Sequence, residues 1–295
     1  MTTPTMGFVG LGDMGGSMAA RLIDAGYRVH GMTRTRRRAE HLIAHGLQWH
    51  DTPREVAAAV DVVFTSVPDD EALQVVAAAP DGILAGLTSR EAWVDVSTVS
   101  PAASREITER VRQVGATMLD APVAGSAPQV RTGTLTIMVG GDAYSRVEPV
   151  RRELGTPRHI GSNGQGLVLK LAVNISLAVQ MLALSEGQLL ADRSGIDRRL
   201  ALDVMTGSAI ASPMLQARAP LVLDPPAEAW FTLGLVQKDV ELARDLAEGL
   251  GVPLPTADRA DEVLRLARTL GYQDRDLAAV FQVLEQVTDA QRRAA

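Results

Sequence analysis

The first half of the chain alternates short apolar runs with longer amphipathic stretches. β-Favouring runs fall at residues 6–10, 27–32, 61–67, 93–97 and 117–119, with helical patterns between them. Thr52-Pro53 and Ser100-Pro101 each set a capping hydroxyl just before a proline. At the first helical position the missing proline N–H costs nothing, so both pairs predict helix starts. Strands alternating with helices predict right-handed βαβ units and a parallel sheet covered by helices on both faces. A further run at 135–139 and a short stretch near His159 extend the strand pattern.

Past Gly161 the strand signals stop. Residues 164–193 form one long helical pattern, followed by helical stretches near 197–206, 232–249, 256–270 and 276–287. The loops between them carry Pro213, Pro220, Pro225, Pro226 and Pro253. The expectation is an α/β domain over residues 1–162 and an all-helical domain over 163–295, joined through the helix at about 164–193.

That helix holds an anomaly. In "GQGLVLKLAVN", residues 164–174, Lys170 sits among Leu167, Val168, Leu169, Leu171, Ala172 and Val173. An unpaired buried ammonium costs several kcal/mol, so Lys170 needs either a partner or a chemical task. The run is also broken by Asn174, Ser176 and Gln180, which marks it as a core helix rather than a membrane span.

Composition removes several function classes. The chain has 295 residues, 46% hydrophobic and 22% charged, with a net charge of -6, which describes a globular protein with ample core material. The mildly acidic balance argues against nucleic acid or an anionic membrane as partner. With no cysteine, disulfides, thiolate metal sites and cysteine nucleophiles are excluded. His41 and His45 stand four apart but lack the glutamate of a zinc-protease helix, so no metal is expected. The N-terminus lacks the basic segment and apolar stretch of a secretory signal, and the expected location is the cytoplasm.

The opening "MGFVGLGDMGGSMAARLIDAGYRVHGMTRT" places Gly10, Gly12 and Gly15 as G-x-G-x-x-G directly after a strand and at the start of a helix. The first glycine allows a tight turn, the second lets a pyrophosphate approach the backbone, and the third lets helix pack on strand. Phosphates then meet free N–H groups at the positive helix end. The reading is a dinucleotide cradle made by Gly10, Leu11, Gly12, Met14 and Gly15, in a Rossmann-type doubly wound parallel sheet. At the end of the second strand an NAD site usually offers a carboxylate. Here the chain reads Thr33-Arg34-Thr35-Arg36-Arg37-Arg38. A guanidinium flanked by hydroxyls suits a 2′-phosphate, so Thr33, Arg34 and Thr35 favour NADP over NAD. Two of Arg36, Arg37 and Arg38 read as a solvated basic turn. Val67-Pro68 and Thr98 follow later strands at their carboxyl ends, where such sheets bind ligands. Thr98 either touches the cofactor or caps the next helix.

With these features in view the chain resembles the β-hydroxyacid dehydrogenase family, which is 6-phosphogluconate dehydrogenase-like. The family includes 3-hydroxyisobutyrate dehydrogenases, tartronate semialdehyde reductases and glyoxylate/succinic semialdehyde reductases. Four ordered blocks carry the resemblance: GLGDMG at 10–15, "DAPVAGSAPQVRTGTLTIMVGG" at 120–141, "GQGLVLKLAVN", and "FTLGLVQKDVELA" at 231–243. The resemblance implies a substrate-carboxylate loop at Ala124, Gly125 and Ser126, a catalytic acid/base at Lys170, and a substrate-holding amide at Asn174. It also implies that Lys238 closes the site near the nicotinamide. The loop departs from the family at Ala124, where many members read serine. A serine hydroxyl lost there removes one hydrogen bond, about 1 kcal/mol.

The residues support these assignments separately. Lys170 and Asn174 are spaced i, i+4 and project from one helix face, and that face can look into a cleft between domains. Reduction of a carbonyl by hydride leaves an oxygen that must be protonated, and a partly desolvated lysine can supply that proton near neutral pH. Lys238-Asp239 reads as the beginning of a helix, with Asp239 as a helix-terminus or salt-bridge residue. The expected activity is the NAD(P)-dependent interconversion of a small 3-hydroxy or 2-hydroxy acid and its semialdehyde or keto acid. Apolar helical faces in excess of one small core predict a homo-oligomer, dimer or tetramer. Two other readings stay open. Imine reduction is disfavoured by Lys170 and left some room by Ala124. A non-catalytic NADP-binding sensor or scaffold should have lost Lys170 or Asn174, and both are present.

Overall fold

The apolar runs of the first half lie side by side. In the computed structural model, which describes residues 3–147 and 153–294, β1 (Met6–Val9), β2 (Val29–Met32), β3 (Gln48–Trp49), β4 (Val62–Thr65), β5 (Ala92–Asp95) and β6 (Thr117–Asp120) are parallel, in the order β3-β2-β1-β4-β5-β6. That is the strand order of a dinucleotide-binding sheet. Beyond β6 the direction changes. β8 (Leu135–Gly140) runs antiparallel to β6 and to β7 (Val123–Ala124), while β9 (Gly155–Gly161) is parallel to β8. The expected parallel sheet therefore carries an antiparallel margin.

The central strands are buried along their whole length, as strands covered on both faces must be. Successive residues feed opposite cores. Phe8, Phe64 and Val94 join Met18 and Leu22 on one face, whereas Val9, Val63 and Trp93 join Leu73 and Ile107 on the other. Phe8 and Phe64 stack with centroids 4.9 Å apart. The two proline-marked helix starts are capped as their sequence demands. Thr52 Oγ1 accepts the Glu55 N–H at 3.1 Å, and Ser100 Oγ accepts that of Ala103 at 3.1 Å.

The second half contains the helices Gln165–Arg193, Arg198–Gly207, Leu233–Leu250, Pro255–Thr269 and Val280–Ala294. Two short helices, Pro213–Arg218 and Pro220–Leu223, occupy a stretch expected to be loop. Their prolines sit at the first helical position, and Ser212 caps the first of them. Proline there starts a helix and does not interrupt one. Contacts divide the chain into compact units Met1–Lys170 and Leu171–Ala295. The second unit has its own core around Met181, Leu184, Val236, Val240 and Phe281.

Among the described residues, the helix Gln165–Arg193 alone is long and apolar enough to cross a membrane by length and composition. It also buries Lys170, Asn174, Ser185 and Gln188.

Candidate active site

The cradle residues follow β1, and each glycine meets a different steric demand. Gly10 has φ +97°, and a Cβ there would fall 2.2 Å from the Ser66 carbonyl oxygen. A Cβ on Gly15 would fall 2.2 Å from the Gly10 oxygen, which is the close helix–strand approach. A Cβ on Gly12, by contrast, meets nothing within 4 Å. Gly12 is the N-cap of the helix Asp13–Asp24, with no side chain capping its N–H groups. This end of the helix therefore has open space and unclaimed donors where a pyrophosphate would bind. The residues present fit a dinucleotide.

Strand order then collects the rest of the predicted cofactor residues. The ends of β2, β1, β4 and β5 stand next to one another, which aligns Thr33–Thr35, Gly10–Gly15, Val67-Pro68 and Thr98 along one edge of the sheet. Gly10 N–H donates to the Met32 carbonyl at 3.0 Å, tying the glycine turn to the β2 end. Arg34, Thr35 and Pro68 are exposed, Met14, Thr33, Val67 and Thr98 half-buried, and Leu11 buried. Arg36 lies over the Trp49 ring at 5.3 Å, so it is stacked on an aromatic face and not simply solvated. The helix after Thr98 has Ser100 as its N-cap.

Beneath this edge lies a buried polar network that the sequence did not reveal. Asp95 Oδ1 accepts from Thr65 Oγ1 at 2.7 Å and from Ser97 N–H at 3.1 Å. Ser97 Oγ in turn accepts the Val67 N–H at 2.9 Å. Burial pushes the Asp95 carboxyl above the usual range, against those hydrogen bonds, and the neighbouring Asp120 charge adds to the rise. Burial also raises Asp120, opposed by backbone N–H groups of Gly164, Leu167 and Gly166.

In the loop at 124–126, Gly125 adopts φ +133°, and a Cβ there would strike Leu135 at 2.6 Å. Ser126 N–H and Oγ both donate to Gln129 Oε1, at 2.9 and 2.8 Å. The serine thus closes a capping box on the helix Ala127–Thr132. Ala124 is half-buried at the end of β7.

Lys170 is 9% exposed, in the second turn of the long helix. Asn174, one turn on, is fully buried, and its Nδ2 donates to Asp239 Oδ2 at 2.5 Å. Lys238 Nζ lies 2.8 Å from Asp239 Oδ1. One buried carboxylate therefore holds both Asn174 and Lys238. Asp239 is not at a helix terminus, because the helix begins at Leu233 behind the cap Thr232. The alternative reading of Asp239 as an ion-pair residue describes it, with Asn174 as a second partner that an i, i+1 pair in sequence cannot disclose. No cluster of His, Cys, Asp or Glu able to hold a metal occurs among the described residues.

Residues 5–163 match the NAD binding domain of 6-phosphogluconate dehydrogenase. Residues 164–284 match a domain described as NAD-binding of NADP-dependent 3-hydroxyisobutyrate dehydrogenase. The chain is 34% identical over 286 residues to glyoxylate/succinic semialdehyde reductase 2, chloroplastic, of Arabidopsis thaliana, covering 96% of this chain and 80% of that one. It is 32% identical over 283 residues to 2-hydroxy-3-oxopropionate reductase of Escherichia coli, covering 95% and 97%. A solved Mycobacterium tuberculosis 3-hydroxyisobutyrate dehydrogenase with L-serine superposes with a TM-score of 0.83 at 30% identity, over 96% of this chain and 99% of that one.

Proposed function

The chain belongs to the β-hydroxyacid dehydrogenase family and is an NAD(P)-dependent oxidoreductase of small hydroxy acids; on that premise we propose that it is an NADP-linked semialdehyde or keto-acid reductase with Lys170 as its general acid/base. The observation that carries the reading is the placement of lysine. Of the 29 lysines and arginines, only Lys170 and Lys238 are lysine, leaving 29 − 2 = 27 arginines. Arginine stays protonated at any physiological pH, whereas a lysine amine can give up and regain a proton. A chain that uses arginine for nearly every other cation keeps an amine in the second turn of this helix, buried, one turn from a buried amide.

Gly10, Gly12 and Gly15 hold the pyrophosphate of the cofactor, with Leu11 and Met14 in the same loop. Arg34, between Thr33 and Thr35, takes the 2′-phosphate, and Val67, Pro68 and Thr98 line the remainder of the sheet edge. The bound nicotinamide supplies the hydride. Lys170 supplies the proton that the reduced carbonyl oxygen needs and removes it in the oxidative direction. Asn174, oriented by Asp239, offers an amide to the substrate, and Lys238 adds a positive charge for its carboxylate or for the cofactor. In the loop, Gly125 offers its backbone N–H to the carboxylate, while the Ser126 N–H, held by Gln129 Oε1, shapes the loop beside it. Ala124 offers no hydroxyl, so this enzyme grips that carboxylate with one fewer hydrogen bond than relatives that carry serine.

The chain also pairs with a second copy of itself. Leu169, Ala172, Val173, Ser176, Ala183 and Leu190 are exposed on the long helix, and their spacing puts them on one face. An apolar stripe on one helix is self-complementary across a two-fold axis, which selects a homo-oligomer as its occupant. The setting for such an enzyme is the cytoplasm.

Steady-state rates with NADPH against glyoxylate, succinic semialdehyde, tartronate semialdehyde, methylmalonate semialdehyde and a cyclic imine test the function. Turnover is expected on at least one aldehyde or keto acid. Turnover confined to the imine, or none with any of them, would overturn the proposal.

A further inference from the structure

We propose that Asp120 is the positioning residue for Lys170: its carboxylate fixes the first turn of the long helix to the end of β6 and so sets where the amine stands. The inference rests on the reading of Lys170 as proton donor and deepens it.

Asp120 is the last residue of β6 and fully buried. Its Oδ1 accepts the Gly164 N–H at 2.7 Å, and its Oδ2 accepts the Leu167 N–H at 3.1 Å. These bonds span 44 and 47 residues of sequence, so they tie together elements that local structure leaves independent. The helix also has a local capping contact, since Gln165 Oε1 accepts the Ser162 N–H at 2.9 Å. A distant carboxylate adds what a local contact cannot, namely a fixed position relative to the sheet.

The surroundings are shaped to admit that carboxylate. Across from it on β8, a Cβ on Gly140 would fall 2.4 Å from Oδ1 and 2.7 Å from Oδ2. On the helix itself, a Cβ on Gly166 would fall 2.8 Å from Oδ2 and 2.3 Å from the Met138 carbonyl oxygen. Two elements therefore do without side chains where they meet Asp120. Lys170 follows Leu167 by three residues and Gly166 by four, within about one turn at roughly 1.5 Å per residue. A helix this short in reach transmits any slip of its first turn to the amine. Misplacement by about 1 Å can cost a reaction about a hundredfold.

Asp120→Asn tests the assignment, because the amide keeps one acceptor and turns an NH₂ toward helix N–H donors. The variant is expected to lower kcat by about thirtyfold or more while KM for NADPH stays within about twofold. The double variant with Lys170→Ala should turn over within about threefold of Lys170→Ala alone, because a residue that acts through the amine has nothing left to position. A readout independent of turnover is available in the two lysines. With ¹³C-methylated amines, the Lys170 resonance, identified by its loss in Lys170→Ala, should shift or titrate differently in Asp120→Asn while that of Lys238 does not. If Asp120→Asn does not fold, Gly166→Ala presses on the same carboxylate from the helix and takes its place in the cycle. An unmoved Lys170 resonance, a kcat within about threefold of wild type, or losses that multiply in the double variant would overturn the proposal. Near-normal turnover in Lys170→Ala would instead defeat the functional reading beneath it, so the two failures are distinct.

Discussion

Replacing Lys170 by arginine separates proton transfer from mere positive charge. Lys170 is 9% exposed, so its stem contributes packing. Lys170→Met keeps nearly the same volume and so preserves that packing while removing the amine. General acid/base catalysis contributes about 10²–10⁴ in rate, or about 2.7–5.5 kcal/mol at about 1.36 kcal/mol per decade. Lys170→Met should therefore lose at least about a hundredfold in kcat, with the Kd for NADPH unchanged within about twofold. Arginine keeps the charge but does not release its proton below about pH 12. If the amine only neutralised a developing oxyanion, Lys170→Arg would retain most of the rate. If it moves the proton, Lys170→Arg falls with Lys170→Met. Single-turnover oxidation of bound NADPH by stopped-flow absorbance measures the chemical step directly. In the oxidative direction, Lys170→Arg should fail as completely as Lys170→Met, since neither side chain can accept the proton of the substrate hydroxyl. A Lys170→Arg enzyme with more than about a tenth of wild-type kcat would refute the role of the amine in proton transfer.

Three other outcomes follow from the same geometry. Arg34→Ala should weaken NADPH by about ten- to a hundredfold, the worth of a charge-assisted phosphate contact, and NADH by less than about threefold; equal losses in equilibrium titrations would move the 2′-phosphate elsewhere. Asp95 has a carboxyl raised by burial, so its contribution to stability is full below the unfolded pKa and is lost as pH rises through the folded one. Asp95→Asn should accordingly hold or raise the Tm at neutral pH and flatten its fall as the pH rises above the unfolded carboxyl's value of about 4; a lowered Tm with the slope unchanged would contradict this. Leu190, 72% exposed on the long helix, should become a charge inside a subunit contact when changed to glutamate. Sedimentation should show the wild type as an oligomer and the Leu190→Glu chain shifted toward monomer, and identical profiles would remove that face from the interface.

The sheet was readable because burial on both faces leaves an unbroken apolar run in each central strand, as in "VVFT" of β4. Proline helped at Thr52-Pro53 and Ser100-Pro101, where a capping hydroxyl announces the helix. Ser212-Pro213 carries the same signal, but the helix it starts has six residues and the one at Pro220 four, too short to show a helical period between their prolines. The two-residue strands β3 and β7 are too short to show a period at all. The antiparallel direction of β8 also escaped, since an apolar run has no sign of direction. β7 and β8 are joined through residues 125–134, where the chain bends at Gly125 with φ +133° and then forms the helix Ala127–Thr132.

The site divides along a different line. Residues that touch ligand are constrained by chemistry to a few side-chain types in fixed local patterns. The glycines around Gly10, Arg34 among its threonines, and Lys170 with Asn174 could therefore be picked out as candidates from neighbours close in sequence. The residues that hold those groups in place are carboxylates with distant partners. Asp239 meets Asn174 across 65 residues, and Asp120 meets the helix of Lys170 across 44 and 47. Nothing near Asp239 in sequence points to Asn174, and nothing near Asp120 points to Gly164. Their cost as buried carboxyls is nonetheless a physical clue. An aspartate ending an apolar strand, such as "TMLD" of β6, must have its oxygens satisfied by some other element. The elements free to do so are those with unpaired N–H groups, and helix N-termini offer them. By that reasoning a buried strand-terminal aspartate predicts a helix end docked on it. Here that helix is the one that carries the lysine.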